Sequence, residues 1–208
     1  MEYFGVDLVA LIKMVGLIGL FLIVFAETGL FLGFFFPGDS LLFVAGLLAA
    51  QGFFSPEALI ATIAAAAITG NMAGYWFGEK VGPKLFDRED SLLFRKQHVY
   101  RAQAFYEEHG AKTIALARFI PIVRTFAPIV AGVAKMQYRT FLAYNIIGGL
   151  VWTVGLVLGG YLFGNLISDV DRYLLPVILA IIVVSFLPAV WHVMKERRGE
   201  KTPKSGGQ

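Results

Sequence analysis

The stretch ARFIPIVRTFAPIVAG, residues 117–132, decides how this chain folds. It is apolar enough to enter a lipid bilayer, yet it holds two arginines, Arg118 and Arg124, and two prolines, Pro121 and Pro128. A charge at bilayer depth costs roughly 2.5–3.5 kcal/mol on insertion scales, so such a residue faces a protein interior or a wet cavity. Proline removes a backbone donor and interrupts a helix. The stretch therefore predicts a broken helix that carries two buried cations.

The composition of the whole chain places this stretch in a membrane protein. Of 208 residues 57% are hydrophobic and 16% are charged, and the mean hydropathy is +0.69. Residues 58–77, 140–167 and 173–194 contain no Asp, Glu, Lys or Arg, and each run is long enough to cross the hydrocarbon core as a helix. A spanning barrel would instead show short alternating segments. The sequence therefore predicts an all-α, polytopic membrane protein.

The distribution of basic residues predicts the orientation of these helices. Most of the 18 lysines and arginines lie in the loop 81–112, the link 135–139 and the tail 195–208. The positive-inside rule assigns these segments, and with them the C-terminus, to the cytoplasm. The links 51–57 and 168–172 are poor in basic residues and are predicted to face outward.

Two further segments are predicted to enter the membrane without crossing it. Because the loop 81–112 and the link 135–139 lie on one side, residues 113–134 must enter and leave on that side as a re-entrant hairpin. By the same reasoning, residues 29–50 form a hairpin that enters from outside. Helix breaks at the two tips are predicted at Pro37, Gly38, Pro121 and Pro128.

An internal repeat supports this arrangement. The motif V-A-G occurs at 44–46 and again at 130–132, and G-Y-x-F-G occurs at 74–78 and again at 160–164, both at the same spacing. Each half then consists of a hairpin followed by a spanning helix, and the opposite directions of the two spanning helices make the repeats inverted. Inverted repeats with broken helices are a recurrent transporter design. The alternative is chance, because small residues and tyrosine suit membrane helices in general.

These expectations define one membrane domain with a polar loop and a tail. The apolar run 14–26 is short for a span, so an interfacial N-terminal helix is favoured for that part. The predicted bounds are 1–194 for the domain, 14–80 for repeat one, 98–166 for repeat two, 173–194 for the final helix, 81–112 for the cytoplasmic loop and 195–208 for the disordered basic tail.

The charges in the membrane segments divide between the two halves. Glu27 and Asp39 belong to the first half, and Arg118 and Arg124 belong to the second. An arginine fork binds phosphate at two points and stays protonated when buried. If the hairpins meet, the four residues form a site for an anionic head group. The alternatives are an N-cap role for Asp39, an interfacial position for Glu27, and salt bridges that only hold the hairpins together.

Glu27 and Asp39 are also the candidates for proton coupling. Burial favours the neutral acid, whereas a nearby cation favours the carboxylate, so a carboxyl group in such a site can change its protonation state. Protonation would then alter the affinity for phosphate, and the site could exchange a proton for its substrate. Two amides in spanning segments, Asn71 and Asn145, are instead expected to hold helices together.

Several motifs on these residues occur in order along the chain. They are Glu27, PGDSLL at 37–42, Ala45-Gly46, G-Y-x-x-G at 74–78, RFIPxxRTxxPxxAG at 118–132, Tyr144-Asn145 and Trp152. Together they resemble the bacterial DedA family, whose shared region is also called the SNARE-associated or VTT domain. The resemblance covers roughly residues 20–165.

The resemblance implies a multi-pass inner-membrane protein with two opposed re-entrant hairpins. Members of the family are implicated in moving lipids across the membrane, including undecaprenyl phosphate and phosphatidylethanolamine, and in maintaining proton-motive force. The acidic and arginine positions that the family treats as essential fall on Glu27, Asp39, Arg118 and Arg124.

The expected partners are a lipid with a phosphate head group, the membrane and protons, without nucleic acid, metal or cofactor. The chain has no cysteine, and its three histidines are scattered. An enzyme is not expected. The spacing Lys112-x5-Arg118-x-x-Pro121 loosely resembles the opening motif of phosphatidic acid phosphatases, but no Pro-Ser-Gly-His follows. A proton/cation antiporter and a scaffold that transports nothing remain as alternatives.

Overall fold

The computed structural model describes residues 8–29, 38–86, 110 and 112–166. Within these residues the chain forms six α-helices and no strand. The helices are α1 (Leu8–Gly29), α2 (Gly38–Ala50), α3 (Pro56–Phe86), α4 (Lys112–Ala117), α5 (Pro121–Val133) and α6 (Tyr138–Leu166). The predicted final helix 173–194, the tail 195–208 and most of the loop 81–112 lie outside the described residues.

Three of the helices are long and apolar enough to cross a membrane. The candidate spans are Val9–Gly29, Pro56–Val81 and Tyr138–Leu166. The second span contains the predicted run 58–77, and the third contains nearly all of the run 140–167. The described residues therefore confirm the all-helical membrane class.

Helix α1 covers the part of the chain for which an interfacial N-terminal helix is expected. That expectation rested on the apolar run 14–26, which is too short for a span. The helix has 22 residues, because it continues through Lys13 to Leu8 and extends to Gly29. It is interrupted at Gly16, whose φ of 60° lies in the left-handed region that glycine adopts at little cost.

The break in the second predicted hairpin lies before Pro121. Helix α4 ends at Ala117, a turn follows, and Pro121 is the first residue of α5. Proline suits this position because the first helical residue has no intrahelical partner for an N–H group. In the first hairpin, α2 begins at Gly38, and Pro37 lies outside the described residues.

The predicted break at Pro128 is wrong, because α5 continues through this residue to Val133. A proline in a helix removes one hydrogen bond to the carbonyl four residues earlier, here that of Arg124. Neighbouring helices can hold a membrane helix together despite this loss. Pro128 is buried against α3, where a Cβ atom at Gly74 would lie 3.5 Å from the Cβ of Pro128.

The repeated motifs contact each other across the two halves. Helix α2 packs mainly on α6, and α5 packs mainly on α3. Gly46 of the first V-A-G lies against backbone atoms of Val157 and Tyr161, and Gly132 of the second lies against backbone atoms of Tyr75 and Glu79. The two tyrosines occupy the same position in the two G-Y-x-F-G motifs. Each V-A-G motif therefore packs on the G-Y-x-F-G helix of the other half.

Helices α2 and α5 are also alike in length and in their C-terminal caps. Both have 13 residues. At the end of α2 the N–H of Phe53 donates to the carbonyl of Leu48, and at the end of α5 the N–H of Met136 donates to that of Ala131, each at 3.0 Å. A residue with positive φ precedes each donor, as this helix-ending motif requires; these residues are Gly52 and Lys135.

Candidate functional site

The centre of the candidate site is an ion-paired cluster of Arg124, Glu27 and Asp39. Glu27 lies in the last turn of α1, Asp39 in the first turn of α2 and Arg124 in the first turns of α5. The guanidinium donates from Nη1 to Asp39 Oδ1 at 2.6 Å and from Nη2 to Glu27 Oε1. Its two terminal nitrogens thus bind carboxylates from two different helices.

The cluster is removed from solvent to different degrees. The side chains of Glu27 and Arg124 are 0% and 5% exposed, whereas that of Asp39 is 18% exposed. Breaking a buried ion pair by removing one partner leaves an uncompensated charge and is strongly destabilising. Gly38 makes room for the cluster, because a Cβ atom at this position would collide with both carboxylate oxygens of Glu27.

Trp152 of α6 completes the cluster. Its indole N–H donates to Asp39 Oδ1 at 3.0 Å, and its ring lies 5.1 Å from the Arg124 Cζ atom in a cation–π contact. Trp152 is one of the residues that carry the family resemblance, but it was not among the predicted site residues. The available signal was its place in the middle of a spanning run, since membrane tryptophans are usually enriched at the interfaces.

Arg118 lies in the turn between α4 and α5 and has different partners. Its Nη2 group donates to the Ala67 carbonyl at 3.2 Å and to Asn145 Oδ1 at 2.5 Å. The residue is 3% exposed, and among the described residues it forms no ion pair with a carboxylate. The structure thus brings Glu27, Asp39 and Arg124 together, whereas the described hydrogen-bond partners of Arg118 are an amide and a backbone carbonyl.

Asn145 and Asn71 link helices, as the sequence predicted. The Asn71 amide on α3 donates to Asn145 Oδ1 on α6 at 3.0 Å. The Asn145 amide in turn donates to the carbonyl of Ile68 at 3.0 Å. Asn145 therefore ties α6 to α3 and also holds the guanidinium of Arg118.

Arg118 and Arg124 contact α6 at successive positions along one face of this helix. Gly148 and Gly149 follow Asn145 by three and four residues, and Trp152 follows them by four and three, so the four residues share this face. A Cβ atom at Gly149 would lie 3.3 Å from Arg118 Nη2, so the glycine leaves room for the guanidinium. From Asn145 to Trp152 the helix rises about 10 Å, at about 1.5 Å per residue.

Several buried polar side-chain atoms in this region have no hydrogen-bond partner among the described residues. Among the described residues, the buried side-chain atoms without a hydrogen-bond partner are Glu27 Oε2, Ser40 Oγ, Arg118 Nε, Arg124 Nε and Thr153 Oγ1. An unpaired buried donor or acceptor costs about 1–3 kcal/mol. The described residues hold no group of three or more His, Cys, Asp and Glu side chains placed to bind a metal ion.

The fold and the site define a polytopic α-helical membrane protein with a buried cluster of ionisable side chains. The VTT domain model matches residues 36–162. Protein DedA of Escherichia coli (strain K12) is 47% identical over 181 residues, which cover 86% of this chain and 82% of the relative. The chain belongs to the DedA family.

Two further relatives are more distant. An uncharacterized membrane protein of Mycobacterium tuberculosis (strain ATCC 25618 / H37Rv) is 44% identical over 176 residues, covering 83% of this chain and 76% of the relative. The inner membrane protein YqjA of Escherichia coli (strain K12) is 32% identical over 146 residues, covering 70% and 66%. No solved structure matches the chain.

Proposed function

We propose that this protein is a transporter that moves a phosphate-bearing lipid across the bacterial inner membrane. The lipid class includes undecaprenyl phosphate and the phospholipids, and the transport is coupled to protons. Arg118 and Arg124 receive the phosphate group, Glu27 and Asp39 exchange the proton, and no bond of the substrate is broken. The two halves act as inverted repeats with re-entrant hairpins, and the C-terminus faces the cytoplasm.

The observation that carries this proposal is the sharing of Arg124 between two carboxylates from different helices. A single acid would neutralise the arginine. With two acids, loss of one negative charge by protonation leaves the guanidinium a remaining partner and one free terminal nitrogen. A phosphate oxygen can take the place of the neutralised acid, because arginine binds carboxylate and phosphate with the same geometry.

Replacement of a protonated acid by a phosphate oxygen predicts the relative directions in which the lipid and the proton move. Phosphate and proton bind together, because each proton that reaches Glu27 or Asp39 frees a donor of Arg124 for the anion. When the bound phosphate group carries one negative charge, the loaded site has the same net charge as the empty one. The lipid and the proton therefore move in the same direction. Moving them together costs less electrostatic energy than moving the charged phosphate alone.

The alternatives fit the site less well. A cation antiporter needs oxygen ligands for its cation, whereas Glu27 and Asp39 both bind Arg124. A scaffold needs buried ion pairs but gains nothing from Glu27 Oε2 and Arg124 Nε, which have no hydrogen-bond partner within the described part of the chain. Both alternatives predict that purified protein moves no lipid.

The test is lipid movement in reconstituted liposomes. Fluorescent undecaprenyl phosphate and phospholipid analogues are placed in one leaflet, and their appearance in the other is followed by quenching. The wild type should accelerate movement of phosphate-bearing lipids. Arg124→Lys should slow it at least about tenfold, because an ammonium group cannot replace two-point binding by the fork.

The matched control is Arg139→Lys, because Arg139 is an exposed arginine at the start of α6. This variant should move lipid at the wild-type rate. Proton flux in exchange for a metal cation without lipid movement would favour the antiporter. Release of inorganic phosphate would favour an enzyme, and folded protein that moves nothing would favour the scaffold.

A further inference from the structure

The two buried arginines differ in the charge of their partners. Arg124 binds two carboxylates, whereas the described side-chain partner of Arg118 is the amide oxygen of Asn145. Both arginines are nearly inaccessible to solvent. An arginine that served only to hold helices together would be cheaper to bury beside an acid, because a buried charge needs an opposite charge.

We propose that the two arginines have separate roles, and that Arg118 with Asn145 forms the primary subsite for the phosphate group. In this arrangement Arg124 offers a donor to the phosphate only after Glu27 or Asp39 binds a proton, while Arg118 supplies the unbalanced positive charge that attracts the anion. Asn145 is a positioning residue that orients Arg118 without neutralising it. This division of roles rests on the proposed function of the site.

The chemistry of the amide explains why Asn145 suits this task. A carboxamide oxygen accepts a hydrogen bond as a carboxylate does, but it carries no net charge. Its nitrogen donates to the Ile68 carbonyl, and its oxygen also accepts a hydrogen bond from Asn71, so its orientation is fixed. Arg118 is therefore held in place while its charge remains available to a ligand.

The geometry of Arg118 leaves a donor for that ligand. Its Nη2 group serves Asn145 and the Ala67 carbonyl, while the buried Nε has no partner among the described residues. Gly148 and Gly149 lie beside this side chain on α6, and a Cβ atom at either would lie 3.2–3.3 Å from its nearest atom. An anion is the chemical class that matches a buried, unneutralised guanidinium.

The diagnostic variant is Asn145→Asp, which keeps the shape of the side chain and places a carboxylate beside Arg118. Binding of phosphatidic acid and of inorganic phosphate to the purified full-length protein is measured by native mass spectrometry. Asn145→Asp should weaken binding of the phosphate group about tenfold or more, the effect of losing a charge-assisted contact. Comparison of the two ligands tells whether the phosphate comes from a lipid or from solution.

The matched control is Asn165→Asp, the same substitution at an exposed position of the same helix. It should bind as the wild type does. If Asn145→Asp does not fold, Arg118→Lys and Arg118→Gln replace it, and the charged lysine should bind at least about tenfold more tightly than the neutral glutamine. A merely structural role for Arg118 predicts equal binding by these two variants.

The outcomes separate this inference from the proposed function. Equal binding by the wild type and Asn145→Asp, including undetectable binding by both, overturns the assignment of the subsite. Lipid movement by the wild type with unchanged binding in Asn145→Asp would support the transporter and contradict the role of Arg118 as the primary phosphate subsite. Loss of binding without any lipid movement would support the subsite and overturn the transporter.

Discussion

Arg124 is a buried cation whose terminal nitrogens bind acids from α1 and α2, while its guanidinium faces the ring of Trp152. Trp152 also donates to Asp39, so one side chain holds both members of an ion pair. Tryptophan suits this double role because it combines a large π face with a single N–H donor. The indole fixes the direction in which Asp39 approaches the guanidinium.

Trp152→Phe separates the two contacts of the indole. Phenylalanine keeps a ring over Arg124 but cannot donate to Asp39, so we expect the free energy of unfolding to fall by about 1.5–3 kcal/mol, the value of a hydrogen bond to a charged group. Thermal unfolding of the protein in detergent measures the change. Trp76→Phe is the control, because Trp76 is 60% exposed on the apolar outer surface. Equal stability of the two variants would contradict this role of Trp152.

Part of the site was predictable from single residues. Glu27, Asp39 and Arg124 stand out because a charge in an apolar run is costly, and this holds whatever the fold. The partners of Arg118 were not predictable, since an amide and a backbone carbonyl carry no sequence signal that links them to an arginine. Trp152 gains its role only through the approach of α2 and α5 to α6, which is a tertiary event.

Helices α2 and α5 carry Asp39 and Arg124, and glycines let these helices approach their partner helices. Gly132 on α5 lies against the backbone of α3, and Gly46 on α2 lies against the backbone of α6. In a membrane, close backbone contact replaces the hydrophobic effect as the source of helix association. The recurrence of V-A-G therefore reflects a packing requirement in both halves.

Gly132→Ala should destabilise the protein by about 1–3 kcal/mol, because its methyl group would overlap the backbone of α3. Gly155→Ala is the control: a Cβ atom there would meet nothing within 4 Å, and alanine favours the helix by up to about 1 kcal/mol. Thermal unfolding in detergent should place Gly132→Ala below the wild type and Gly155→Ala at or above it. The reverse order would exclude the described packing of α5 on α3.

Sequence patterns predicted the spanning elements better than the breaks between them. The apolar runs of α3 and α6 are long and uncharged. Unpaired backbone N–H and C=O groups are costly in lipid, and a helix pairs these groups within the segment, so a helix is predicted. The rule that proline interrupts a helix considers only neighbouring residues of the chain. A helix begins at Pro121, as this rule allows, but α5 continues through Pro128. The difference lies in the surroundings, since Pro121 begins a helix while Pro128 is buried within one against α3.

The whole molecule is proposed to place its halves in opposite orientations in the membrane. The links after α2 and after α5 would then lie on opposite sides. The chain has no cysteine, so single cysteines introduced at the exposed residues Ser55 and Gln137 can be labelled from one side of the membrane. We expect Ser55→Cys to react with an impermeant maleimide from outside and Gln137→Cys only from inside. Labelling of both from the same side would contradict the inverted arrangement.

The whole molecule is proposed to move a phosphate-bearing lipid together with a proton. Phosphate and proton bind together in the proposed site, so a pH gradient should drive the lipid toward the alkaline side. Glu27→Gln should weaken this response, because glutamine cannot release a proton and only Asp39 remains to do so. The corresponding neutral change at an exposed acid, Glu57→Gln, should leave it intact.

The most direct measurement follows a fluorescent phosphate-bearing lipid in liposomes that contain the purified protein and an imposed pH gradient. We predict net accumulation of the lipid in the leaflet on the alkaline side, with reversal of the accumulation when the gradient is reversed. Lipid movement that is indifferent to the gradient would contradict the coupling. Absence of movement in any gradient would contradict the transporter itself.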